Sequence, residues 1–129
     1  MTTVLIVEDD IFINMEAVFI LEELQHLTLV AHDVDQALAI LQADTPLEVL
    51  FTDIRLKDRH LGGYELARHA TSLRADLRVL YTSGGTLADP SDGLLLEGSH
   101  FLQKPYDEKQ LHAALAKVLR SAPVRNPAI

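Results

Sequence analysis

Four short groups of residues in this chain carry side chains suited to chemistry on a charged oxygen, and each directly follows an apolar run. Glu8-Asp9-Asp10 follows Thr3–Val7, Asp53 closes the run that begins at Val49, Ser83-Gly84-Gly85 follows Val79–Thr82, and Lys104-Pro105 comes just after His100–Leu102. Carboxylates crowded together resist ionising. A hard cation with oxygen ligands relieves that repulsion, and Mg²⁺ commonly takes one or two carboxylates, keeps several waters and accepts a phosphate oxygen. An ammonium and a hydroxyl nearby would contact the remaining phosphoryl oxygens, where phosphoryl transfer needs its charge stabilised. If the fold gathers these groups, they predict Mg²⁺ and a phosphate.

The elements that would gather them alternate along the chain. Strand-length apolar runs occur at Thr3–Val7, Thr28–Ala31, Val49–Thr52, Val79–Thr82 and His100–Leu102. Helical patterns occupy Ile11–Leu24, Asp35–Gln42, Tyr64–Leu73 and Asp107–Leu119, with a weak one at Ser91–Leu96 among Gly and Pro residues. Strands that are apolar throughout, separated by helices, predict an α/β domain: a doubly wound, five-stranded parallel sheet with helices on both faces. Ligands in that class sit beyond the carboxyl ends of the strands, where the four groups lie. Residues 1–120 make one domain on this reading, and 121–129, with two prolines, a flexible tail.

Each group taken singly has a plainer explanation. Asp10 precedes a helix and suits an N-cap. Glu8 and Asp9 could be acids favoured at a helix start, Asp53 an Asx-turn residue, Ser83 a turn hydroxyl and Lys104 a solvated charge. These explanations do not account for such groups at all four strand ends.

Composition narrows the function. The 129 residues include no cysteine, which excludes disulfides, thiolate zinc sites and cysteine nucleophiles. Against 19 acidic residues stand 11 Lys and Arg, a formal charge of −8, which disfavours nucleic-acid binding. The start MTTVLIVEDD is not a signal peptide, and no apolar run has the length of a membrane span, so a cytoplasmic location without membrane attachment is expected. The six histidines include no His-x-x-x-His pair and read as scattered, with His60 alone near the site.

VLIVEDD, FTDIRL around Asp53, LYTSGG and FLQKPY together resemble the response-regulator receiver domain of two-component signalling, in sequence and in spacing, over residues 3 to about 120. The resemblance implies the flavodoxin-like strand order 2-1-3-4-5. It implies Asp53 as phosphoacceptor, with Ser83 and Lys104 holding the phosphoryl group. Mg²⁺ would bind Asp9, Asp53 and the backbone carbonyl of Arg55, with Glu8 acting mainly through water. Ser83 and Phe101 would be the switch residues, and the Lys104–Pro105 peptide would be cis. The implied partners are a histidine kinase or histidine phosphotransfer domain and a downstream protein target. The protein would accept the phosphoryl group and hydrolyse it, without turning over a free substrate.

Two features depart from the family pattern. The loop Lys57–Gly63 has Lys57 where proline is common, and its glycine comes late; it reads as a tolerated insertion, with shielding of the phosphoryl group by Arg55 or the loop as the alternative. The first helix carries two apolar stripes. Ile13, Ala17, Ile20, Leu21 and Leu24 form a core-facing stripe, whereas Phe12, Met15 and Phe19, flanked by Ile11 and Val18, form another. The second stripe predicts a docking face for a helical phosphodonor, joined by Pro105, or a homodimer interface. Two other functions compete: a Mg²⁺-dependent phosphatase or phosphotransferase with an aspartyl-phosphate intermediate, and a flavin or nucleotide binder. Arg55 standing where an Asp-x-Asp pair would need Asp argues against the first. The missing Gly-rich loop after the first strand argues against the second.

Overall fold

Alternate residues of a parallel strand point to opposite faces, so a strand buried on both sides must be apolar throughout. The computed structural model, which describes residues 2–56, 62–84 and 95–124, bears this out in the central strands. Strands β1 (Thr3–Val7), β2 (Leu27–Ala31), β3 (Val49–Asp53), β4 (Arg78–Ser83) and β5 (His100–Gln103) form a five-stranded parallel sheet in the order β2-β1-β3-β4-β5. Helices α1 (Ile11–Glu23), α2 (Val34–Gln42), α3 (Gly62–Leu73) and α4 (Glu108–Arg120) cover it. Helices α1 and α4 pack on the face made by Val4, Ile6, Val49, Phe51 and Leu80. The opposite face, with Leu5, Val7, Leu50, Val79 and Tyr81, receives α2 and α3.

The helix starts are set by side chains. Asp10 caps α1, accepting hydrogen bonds from the amides of Phe12 and Ile13 at 2.9 and 3.1 Å. Asp33 caps α2, and Asp107 closes a capping box with Gln110 at the start of α4. Helix α1 ends at the Leu24 cap, followed by Gln25 in the left-handed region at φ 66°.

Several expectations need correction. Helix α3 begins at Gly62, two residues before the expected Tyr64. Val18 does not belong to the outer stripe of α1: it is half-buried against the α1/α4 core. Ser121–Val124, read as the start of a flexible tail, are held in place. The Ser121 carbonyl accepts a hydrogen bond from Arg78 Nε at 2.9 Å, and Val124 is buried in the α2/α3 core beside Leu96. Residues 125–129 lie outside the described residues. So do residues 91–94 of the weak helix; Leu95 and Leu96 are not helical.

Candidate functional site

The sheet order reverses direction between β1 and β3, and the four chemical groups converge at the carboxyl ends of the strands on either side of that point. Glu8 follows β1 and is buried; its amide donates to the Ala31 carbonyl of β2 at 3.1 Å. Asp53 ends β3, also buried, its register partner being Thr82 of β4. Carboxylate oxygens of Glu8, Asp9 and Asp53 lie within 4.8 Å of one another.

Lys104 reaches into this cluster. Its Nζ is 3.0 Å from Asp53 Oδ2 and ion-paired with Glu8 Oε1. Backbone amides complete the shell: Asp10 N–H donates to Glu8 Oε2 and Arg55 N–H to Asp53 Oδ1, each at 3.2 Å. The position of Lys104 is fixed by its own amide, which donates to the Ser83 carbonyl at 3.0 Å, while the cis Lys104–Pro105 peptide turns the chain away. Ser83 is buried at the end of β4, Phe101 is half-buried on the α2/α3 side, and Arg55 and Pro105 are exposed.

Burial dominates the electrostatics. It pushes the Glu8 carboxyl up to about 7, aided by the charge of Asp53 and opposed by the Lys104 hydrogen bond. Burial alone would lower the Lys104 ammonium, but the Glu8 hydrogen bond and the charges of Asp53 and Glu8 outweigh it and raise it. Tyr106, which stacks at a tilt on Phe51 with centroids 5.9 Å apart, is raised by burial and by the neighbouring acids. An all-oxygen set of three clustered carboxylates, with one ammonium nearby, suits a hard divalent cation such as Mg²⁺.

The response regulator receiver domain model matches residues 4–116. The chain belongs to that family. Receiver domains are phosphoryl-accepting signalling modules that generally bind Mg²⁺ at an acidic pocket and interact with histidine kinases and downstream targets. The receiver domain is 29% identical over 124 residues to the transcriptional regulatory protein CpxR of Klebsiella pneumoniae, covering 93% of this chain and 50% of the relative. It thus spans about half the length of the curated relatives it matches. Among solved structures, NtrX from Brucella abortus aligns with a TM-score of 0.82 at 27% identity, over 93% of this chain and 27% of the other. A CheY-like receiver domain protein from Methanospirillum hungatei aligns with a TM-score of 0.80 at 23% identity, over 93% and 94% of the two chains.

Receiver-domain residues that sequence reading passed over also shape the site. Gly63 lies directly beneath Asp53, its amide donating to the Ile54 carbonyl at 2.8 Å. Asn14, buried on α1, donates to the carbonyls of Glu8 at 3.1 Å and Ala31 at 3.4 Å. Its signal was a polar residue in step with Ala17 and Leu21 on the core stripe. His32, read as scattered, brings Nδ1 to 3.4 Å from the Glu8 carbonyl. His60 and residues 57–61 of the unusual loop lie outside the described residues. Beside the acid cluster, Ile13 and Glu16 of α1 line a groove of about 330 Å³ with Gly84, Lys104, Pro105 and Tyr106.

Proposed function

We propose that this receiver domain takes a phosphoryl group from a phosphohistidine donor onto Asp53. The observation that carries the reading is Lys104 Nζ held 3.0 Å from the buried Asp53 carboxylate, beside two further acids. An Asp53 oxygen attacks phosphorus, the P–N bond to the donor imidazole breaks, and its electron pair stays on the ring nitrogen. Asp9, Asp53 and the Arg55 carbonyl would hold Mg²⁺, with Glu8 acting through water. Bound there, the ion would neutralise charge on the phosphoryl oxygens. Lys104 and the Ser83 hydroxyl contact the oxygens that remain, and Ser83 and Phe101 shift as the new charge draws their strand ends inward. Hydrolysis then returns Asp53: water attacks phosphorus, the bond from phosphorus to the Asp53 oxygen breaks with its electron pair left on the carboxylate, and inorganic phosphate leaves. The domain acts as a switch or relay in the cytoplasm, not as an enzyme turning over a free substrate.

The partner face is the outer stripe of α1. Phe12 is 82% exposed, with Ile11, Met15 and Phe19 also exposed beside it. These residues and Pro105 dock a helical kinase or phosphotransfer domain, bringing its histidine over Asp53. A separate protein target then reads the phosphorylated surface.

Intact-mass spectrometry after incubation with acetyl phosphate tests the reading. One phosphate adduct that needs both Mg²⁺ and Asp53 is expected, and Asp53→Asn gives none. An adduct that survives Asp53→Asn, or none from either acetyl phosphate or a phosphohistidine protein, would overturn it.

A further inference from the structure

We propose that Thr82 is a further residue of the phosphoryl site, an inference that rests on Asp53 as the phosphoacceptor: the Thr82 hydroxyl donates a hydrogen bond to the Asp53 side chain in the phosphorylated state. Thr82 stands just before Ser83 on β4 and is 3% exposed. Its Oγ1 is sealed from solvent and, among the described residues, has no hydrogen-bond partner. Burying a hydroxyl without a partner is unfavourable, and a valine would fill the same space at no such cost. Thr52 and Thr71 are buried as deeply but do not share this defect. Their hydroxyls donate to the carbonyls of Asp53 at 3.0 Å and Ala67 at 2.8 Å. Thr82 is a buried donor that the fold itself leaves unused.

The sheet decides which group this donor can serve. Thr82 is the register partner of Asp53 on one side and of Leu102 on the other. Alternation along the strands puts Thr82 on the face of Leu80 and Asp53 on the face of Phe51, and both of those residues lie in the α1/α4 core. Thr82 and Asp53 are thus neighbours on one face, on strands about 4.8 Å apart. The Ile54 amide donates to the Thr82 carbonyl at 2.9 Å and holds β3 and β4 together at this level. Rotation about χ1 moves a threonine hydroxyl between staggered positions, so it turns toward Asp53 without any backbone shift. Leu102, on the other side, offers no side-chain acceptor.

Phosphorylation changes the demand at Asp53. Its two carboxylate oxygens accept from the Arg55 amide at 3.2 Å and from Lys104 Nζ at 3.0 Å. When Lys104 turns to the phosphoryl oxygens, the Asp53 side chain loses that donor and stays buried. The Thr82 hydroxyl replaces it. The bond forms only in the phosphorylated state, so it favours that state over the free one.

Intact mass at increasing acetyl phosphate with Mg²⁺ reads the effect as the concentration giving half-maximal adduct. Thr82→Val should raise that midpoint about two- to tenfold, the range expected for one hydrogen bond, and Thr82→Ser should restore it. Urea titration without Mg²⁺ separates this from a structural role: Thr82→Val should be at least as stable as wild type, because it removes an unpaired hydroxyl. An unchanged midpoint in Thr82→Val, an equal shift in Thr82→Ser, or a marked loss of stability in Thr82→Val would overturn the proposal while leaving Asp53 as phosphoacceptor. A wild type that forms no adduct with any donor would overturn both.

Discussion

Gly63 and Asp53 are packed so closely that no side chain fits between them: a Cβ on Gly63 would meet the Asp53 carbonyl oxygen at 2.1 Å and Ile54 Cα at 2.6 Å. The obstruction is backbone, which cannot swing aside. Gly63→Ala should destabilise the fold by about 3 kcal/mol or more, because the start of α3 must move off the end of β3. Gly84→Ala is the contrast: among the described residues its Cβ meets the flexible Lys104 side chain, at 3.6 Å. It should cost under about 1 kcal/mol in the same urea titration. Equal costs would show that the contact beneath Asp53 relaxes.

Lys104 neutralises part of a buried acidic cluster. Lys104→Gln should therefore destabilise the Mg²⁺-free protein at neutral pH by about 2 kcal/mol, since it leaves Glu8 and Asp53 facing each other without a cation. On the proposed metal site, added Mg²⁺ should recover part of that loss and raise the melting temperature of the variant more than that of the wild type. Thermal melts with and without EDTA measure both. A variant melting like wild type in EDTA would mean the carboxylates need no compensating charge.

Met15 lies 62% exposed in the outer stripe of α1, on the side of the helix away from the core. Met15→Glu should slow phosphotransfer from a protein phosphohistidine at least tenfold and leave the rate with acetyl phosphate unchanged. Stopped reactions analysed by intact mass separate the two donors. Equal slowing with both would place the effect at Asp53 rather than at docking.

Two histidines tie stability to pH. Burial lowers His26, with the N-terminal charge and His112 adding to it, and burial followed by the charge of Lys117 lowers His100. The unfolded chain, near the ordinary value of 6.5, then binds more protons than the folded one just below that pH. Each histidine therefore contributes stability that is present above pH 6.5 and is lost as pH falls toward its depressed folded value. Glu8 runs the other way without Mg²⁺: raised from 4.5 to about 7, it favours the folded state as pH falls through that interval. The check is a difference. His26→Gln should flatten the loss of urea midpoint below pH 6.5 relative to wild type, and an unchanged slope would discount His26.

Much of this architecture can be read in the residues themselves. The runs at β1, β3 and β4 are apolar because both faces of the sheet are covered, and the polar groups at their ends stand out against them. The outer stripe of α1 is equally plain, since Phe12, Met15 and Phe19 break the rule that one helical face is enough. Other features leave no periodic trace. Asn14 is a polar residue in an apolar series, and its place is explained only by the two carbonyls that it meets. Helix α3 starts on Gly62 and Gly63, poor helix formers, because the contact with Asp53 outweighs their propensity. Val124 follows a proline at the far end of the chain, and only the tertiary fold brings it to Leu96.

The Asn14 amide fastens α1 to the ends of β1 and β2 at once. The helix therefore cannot roll or slide without disturbing the backbone of Glu8, the residue paired with Lys104. Its outer face is in effect a fixed ruler whose zero mark is the acid cluster. A protein that grips Phe12 and Phe19 gains, with no contact to the chemistry itself, an accurate measure of where Asp53 lies.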